Sequence, residues 1–220
     1  PANMSMDEAA SIPLVGLTAW QALVEMGQLK KGQKVFIQAG SGGVGTFAIQ
    51  LAKHLGASVA TTTSASNAAW VKSLGADVVI DYKTQDFEKM LSGYDLVLNS
   101  QDSETLSKSL RVLKPGGKVI SISGPPDVEF AKAIRAPWLV QQIMRFLSFR
   151  IRKQARQRHV AYAFLFMKAN GAQLQKLTQL IESGVIRPVL DKVFPLTATN
   201  DALRYLESGR AKGKVVIKVL

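Results

Sequence analysis

Apolar positions along the chain fall into short β-rich runs separated by stretches of helical period, and from Lys34 onward the two kinds alternate regularly. Lys34 to Ala39, Val59 to Thr63 and Val78 to Tyr82 read as strands, with intervening helices that end near Leu55 and Leu74. A strand at Leu96 to Asn99, a helix from Glu104 to Leu113, a turn at Lys114-Pro115-Gly116-Gly117 and a strand at Lys118 to Ser123 continue the series. Strands this apolar, each followed by a helix, predict an α/β fold with a doubly wound parallel sheet covered on both faces.

The two ends read differently. Ser5 and Glu8 have the spacing of a capping box, and the apolar pattern from Ile12 through Leu23 predicts a lead-in helix closing near Gly27. Beyond Pro125-Pro126 the pattern predicts a basic amphipathic helix over 137–158, a strand at Tyr162 to Met167 and a helix from Gly171 to Ser183. Val185 to Phe194 and Lys214 to Leu220 read as extended, with a helix at Thr199 to Ser208 between them, and these last strands lack evident partners in the sequence.

Composition narrows the chemistry. The chain has 220 residues, 47% hydrophobic and 20% charged, which is ordinary for a globular protein with one main core. There are no cysteines and two histidines, so thiolate metal sites are excluded and no zinc is expected. His54, at a helix end, and His159, among basic residues, read as surface histidines. The first residues carry no targeting pattern, so the expected compartment is the cytoplasm. The net charge of +12 is concentrated: no acid lies between Glu129 and Glu182, a stretch that holds ten Lys and Arg residues from Lys132 to Lys176.

One motif carries chemistry. Gly40-Ser41-Gly42-Gly43-Val44-Gly45 satisfies G-x-G-x-x-G directly after a strand and directly before a helix. In that context glycines let the backbone turn close to a pyrophosphate, and the free amides at the helix start hold the anion. The plainer alternative is a turn made glycine-rich only by tight packing. The end of the second strand reads Thr61-Thr62-Thr63-Ser64, with no acid before Asp77 to take the ribose diol, which favours NADPH over NADH. Asn99 and Ser100, and Ser123 and Gly124, end the fourth and fifth strands, where such a sheet opens its crevice.

Thr18-Ala19-Trp20, the glycine motif, Ala48-Ile49-Gln50-Leu51-Ala52-Lys53, Leu74-Gly75-Ala76-Asp77 and Ile80-Asp81-Tyr82 closely resemble the medium-chain dehydrogenase/reductase superfamily, and within it the zinc-independent NADPH:quinone oxidoreductase branch. The resemblance implies a Rossmann-type domain over residues 1–184 and, over 185–220, a segment returning to a barrel-like, GroES-like substrate domain most of which precedes the chain's first residue. It implies hydride transfer from NADPH to a quinone or an enone, a homodimer, and cofactor contacts from the glycine turn, Thr63, Ser64 and Tyr82. Asn67 stands where many relatives carry a lysine in the helix after the second strand, which weakens the case for 2′-phosphate binding. Lys83 and Lys212 are candidates to compensate, against the plainer reading of surface lysines. The cofactor supplies the chemistry in this class, so no residue is assigned as catalytic.

The basic segment sustains a second class of function. Trp138, Leu139, Ile143, Met144, Phe146, Leu147 and Ile151 form an apolar face beside Arg145, Arg150, Arg152, Lys153 and Arg156. The plainer expectation is a helix packed on the sheet or on the substrate domain; the alternative is a membrane-peripheral protein that meets an anionic bilayer through 137–158, with or without a catalytically silent NADPH site. A basic patch without a recognised module gives no specific nucleic-acid reading. Likewise Phe164-Leu165-Phe166 reads first as a buried strand and second as a contact for the nicotinamide.

Overall fold

The computed structural model describes residues 1–219. Helix α1 (Met6–Ala10) starts with the expected capping box: the Ser5 hydroxyl accepts from the Glu8 amide, and the Ser5 amide donates to the Glu8 carboxylate. Helix α2 (Pro13–Trp20) has proline in its first turn, where the missing N–H costs nothing. It runs on as a π-helical stretch, Gln21–Met26, closed by the Gly27 amide donating to the Ala22 carbonyl. Strand β1 (Lys34–Ile37), helix α3 (Gly43–His54), strand β2 (Ser58–Thr63), helix α4 (Ala68–Ser73) and strand β3 (Val78–Asp81) form the first half of the sheet. After the single turn α5 (Phe87–Met90) come strand β4 (Tyr94–Asn99), helix α6 (Ser103–Val112) and strand β5 (Leu113–Ser121).

All pairs in this sheet are parallel, in the order β3-β2-β1-β4-β5-β6, where β6 is Ala161–Phe164. That is the doubly wound order whose crevice opens where the strand sequence reverses, beside β1. Period-two alternation distributes the core between the faces. Val35, Ile37, Leu96 and Leu98 meet α2, α3 and the later helix over Gly171–Glu182 on one side. Phe36 and Val97 meet Phe87, Leu106 and Leu110 on the other. The predicted turn at Lys114 to Gly117 survives as a bulge inside β5: Tyr94 pairs with Leu113 and Leu96 with Lys118, and Gly116, at φ 81°, makes the bend.

Between β5 and β6 lie α7 (Val128–Ala133), α8 (Trp138–Leu147) and α9 (Phe149–Gln157). The single helix expected over 137–158 is therefore two. They break at Ser148, which is fully buried and turns its hydroxyl back onto the Met144 carbonyl, a local bond that competes with helix continuation. Ile151 and Ala155 bury α9 against the sheet, whereas α8 buries no residue at all. Packing on the sheet, one of the two placements expected for this apolar face, thus holds only for α9.

Helix α10 (Gly171–Glu182) is capped by Asn170. The C-terminal strands β7 (Leu190–Pro195) and β8 (Lys214–Lys218), apparently partnerless in sequence, pair with each other in parallel, with α11 (Thr199–Glu207) as the crossover. Leu220, the last residue of the predicted final strand, lies outside the described residues.

Candidate functional site

The glycine turn grows directly out of β1. Ala39, with φ of 50°, takes a left-handed conformation that turns the chain, and its amide donates to the Thr62 hydroxyl at 3.1 Å; the Gly40 amide donates to the Thr62 carbonyl at 2.9 Å. The glycines then do different things. A Cβ on Gly40 would overlap the Thr61 hydroxyl, and one on Gly45 would overlap the Ala39 carbonyl oxygen, so these two serve strand and helix packing. A Cβ on Gly43 would lie 2.6 Å from Cδ of Lys214. Gly42 is the N-cap of α3, and its nearest neighbour for an added Cβ is the Ala39 carbonyl oxygen at 3.3 Å. Its open side faces a cleft.

That cleft, of about 860 Å³, lies at the carboxyl ends of β1, β2, β3 and β4 and includes Ser41, Gly42, Thr62, Thr63, Tyr82, Lys83 and Lys108 in its walls. Thr63 is 2% exposed, and among the described residues its Oγ1 has no hydrogen-bond partner. A buried hydroxyl without a partner is costly, so it marks a place where a ligand can complete the bonding. Two carboxylates also line the cleft, but Asp86 caps α5 and Asp102 caps α6 with their side chains. The Thr105 amide, with the Thr105 hydroxyl behind it, holds the Asp102 carboxyl below the usual carboxylate range.

Of the residues singled out from sequence, Ser41, Gly42, Thr63 and Tyr82 share this cleft, with Tyr82 61% exposed. Gly40, Gly43, Val44 and Gly45 stand behind it as the turn and the first residues of α3. Ser64 is half-buried, its hydroxyl 3.0 Å from that of Ser66. Asn67 lies outside the lining, with a buried, unpartnered Oδ1. Ser100 is half-buried at the end of β4, also outside the lining. Asn99 is wholly buried and faces other protein groups: its amide donates to Gln38 Oε1 at 2.6 Å, and its Oδ1 accepts from the Ser121 and Ser123 hydroxyls at 2.6 and 3.3 Å. The Gln38 amide in turn donates to Ser109, and the Ser121 hydroxyl accepts from the Gly124 amide. Ser123 and Gly124 are therefore tied into a polar network that fixes the ends of β1, β4 and β5.

Sequence reasoning missed Gln38, Ser109 and Ser121, which carry no motif and become a unit only when β1, β4 and β5 are adjacent and α6 packs on them. It also missed the return of the C-terminus to the turn. Gly213 bridges Gly42, and its amide donates to the Ser41 carbonyl at 2.9 Å, so the start of β8 braces the glycine loop.

A second hollow, about 430 Å³, runs beside β6 and α7 and is walled by Met26, Phe130, Tyr162, Phe164 and Phe166. Asp127 organises it by accepting from the Phe130 and Phe164 amides at 2.8 and 3.1 Å. Burial, then the nearby Asp127 charge, pushes the Tyr162 phenol far up, and its hydroxyl donates to the Pro125 carbonyl at 2.6 Å. The buried-strand expectation for Phe164 to Phe166 is corrected at its end: Leu165 is buried, but Phe166 lies past the last β6 residue and is 66% exposed. Among the described residues no group of three or more His, Asp or Glu side chains is placed to hold a metal ion.

Comparison with known proteins agrees with this architecture. The family model described as zinc-binding dehydrogenase matches residues 74–217. The chain is 36% identical over 229 residues to the NAD(P)H oxidoreductase RTN4IP1, mitochondrial, of Danio rerio, covering 100% of this chain and 59% of that protein. It is 36% identical to the 2-methylene-furan-3-one reductase of Solanum lycopersicum, covering 99% of this chain and 48% of the relative. Among solved structures, the quinone oxidoreductase of Coxiella burnetii superimposes with a TM-score of 0.83 at 33% identity, over 99% of this chain and 62% of the other. The chain thus spans roughly half to three fifths of the length of these relatives. These matches, on a six-stranded sheet with its glycine turn at the switch point, show that the chain belongs to the zinc-binding dehydrogenase family of the medium-chain dehydrogenase/reductase superfamily.

Proposed function

We propose that the chain is the cofactor-binding part of an NADPH-dependent oxidoreductase acting on a quinone or an enone. The observation that carries the reading is the cleft itself, lined at the start of α3 by the open side of Gly42 and by Thr63, whose buried hydroxyl has no partner among the described residues. The amides at the start of α3, after Gly42, would hold the pyrophosphate. Thr63, with Ser64 and Tyr82 nearby, would receive the adenosine ribose and its 2′-phosphate, with Lys83 supplying positive charge. Asn99, Ser100, Ser123 and Gly124 would border the nicotinamide half, with Asn99 acting through the serines it holds. NADPH is preferred to NADH because no carboxylate stands at the end of β2. Bound there, the cofactor would deliver hydride to an electron-poor acceptor, the class suggested by the names of the tomato reductase and the Coxiella enzyme. We assign residues 1–184 to the cofactor domain and 185–220 to a segment that returns toward the substrate domain.

A homodimer belongs to the same reading, with β6 as the outermost strand of the sheet. The compartment proposed is the cytoplasm. Titration of the 220-residue chain with NADPH and NADH tests the site; micromolar, NADPH-selective binding supports it, and a folded sample that binds neither refutes it. Oxidation of NADPH by a simple quinone separates turnover from silent binding. A second reading, contact with an anionic membrane, is favoured by the exposure of α8.

A further inference from the structure

Helix α8 presents an apolar stripe to solvent. Leu139, Ile143, Phe146 and Leu147 follow the i, i+4, i+7, i+8 spacing of one helix face, all are exposed, and Trp138 extends the stripe at its start. Trp138 is 72% and Phe146 80% exposed. Soluble surfaces rarely collect large apolar side chains in this way without an occupant.

The charge beside the stripe says which occupant fits. Arg145 in α8 and Arg150, Lys153 and Arg156 in α9 are exposed, and among the described residues none of them makes an ion pair. A second copy of the chain docked face to face would bring like charges together. A polyanion such as nucleic acid would answer the charge but leave the apolar stripe in water. A surface of anionic headgroups over hydrocarbon answers both. Among the described residues no helix is long and apolar enough to cross a membrane, so α8 would lie along the interface. Ile151 and Ala155 hold α9 on the sheet, which sets the position of α8 on the body of the protein.

We propose that α8 and the exposed side of α9 form a docking surface for an anionic phospholipid bilayer, with the stripe from Trp138 to Leu147 entering the headgroup boundary and the α9 cations at the phosphates. The proposal holds whether or not the chain binds NADPH.

The test is sedimentation of the 220-residue chain with vesicles of phosphatidylcholine alone and of phosphatidylcholine with phosphatidylserine. The chain should pellet with the second kind only, the binding should fall with added salt, and Trp138 emission should shift to the blue, a shift absent in Trp138→Phe. Phe146→Ser with Leu139→Ser should weaken binding more than tenfold. Because α8 buries no residue, that variant should keep its circular dichroism. Arg150→Glu and Lys153→Glu should each cost at least about fivefold. Failure to pellet, equal binding to neutral vesicles, or binding that the apolar substitutions leave unchanged would overturn the proposal. Sedimentation of the unmodified chain with the two kinds of vesicle decides the matter should a variant fail to fold.

Discussion

Replacing Gly42 and Gly45 by alanine, one at a time, separates ligand binding from packing within a single loop. The backbone at Gly42 has φ −82° and ψ 169°, open to any L-residue, and the new methyl group would stand 3.3 Å from the nearest atom. Alanine is a poorer N-cap than glycine by roughly 0.5–1 kcal/mol. The lower entropy of the unfolded chain returns about 0.4–1 kcal/mol. The two nearly cancel, and the melting temperature of Gly42→Ala should stay within about 2 °C of the parent. The methyl would, however, occupy the side from which a phosphate reaches the α3 amides. Losing one hydrogen bond to a charged group costs about 1.5–3 kcal/mol, hence roughly ten- to a hundredfold in affinity for NADPH. At Gly45 the same methyl would overlap the Ala39 carbonyl oxygen and stand 2.8 Å from Cα of Gly40, backbone atoms that cannot step aside. Overpacking of that kind costs about 1–3 kcal/mol and should lower the melting temperature by roughly 2–10 °C. Differential scanning fluorimetry and NADPH titration on the same samples read both effects. A Gly42→Ala protein that melts and binds like the parent would refute the assignment of the cleft to the cofactor; a Gly45→Ala protein as stable as the parent would refute the division of labour among the glycines.

Asn99→Leu should destabilise the fold by about 2–4 kcal/mol in urea denaturation, because in the interior Gln38 Oε1 loses its donor and the Ser121 hydroxyl its acceptor, while an unchanged midpoint would mean that the network is dispensable. Tyr162→Phe should cost about 1 kcal/mol by freeing the Pro125 carbonyl, and a neutral result would show that water replaces the phenol. Asp77 carries a pH signature: burial raises its pKa, but the Val59 amide and the Lys53 ammonium at 2.9 Å outweigh burial and leave it below the ordinary 3.8. A carboxylate whose folded pKa is depressed contributes stability above its unfolded value and loses it as pH falls through the folded one. Stability should therefore drop below about pH 4, less steeply in Asp77→Asn, and identical acid slopes in the two proteins would contradict the pairing.

What could be read from the chain, and what could not, follows from the range of each interaction. The strands of the main sheet were legible because each is a local run of apolar residues bounded by local breakers, and the resemblance agreed with their order. The glycine motif was legible as a pattern, yet its spacing gives every glycine the same apparent role; only the proximity of Thr61 to Gly40 and of Ala39 to Gly45 separates packing from phosphate approach. The Gln38, Asn99 and Ser121 network had no sequence signal, since the members lie 61 and 22 residues apart and meet through strand order. The same holds for β7 and β8: neither run shows where its partner lies, and a parallel pair needs a crossover, here α11, that sequence alone reads as an isolated helix. The basic segment shows the reverse problem. Periodicity correctly marked an apolar face from Trp138 to Ile151, but periodicity does not say what covers that face. The break at Ser148 assigns Ile151 to the core and leaves the Leu139, Ile143 and Phe146 stripe outside it, so one continuous pattern in sequence serves two different solvents in the folded chain.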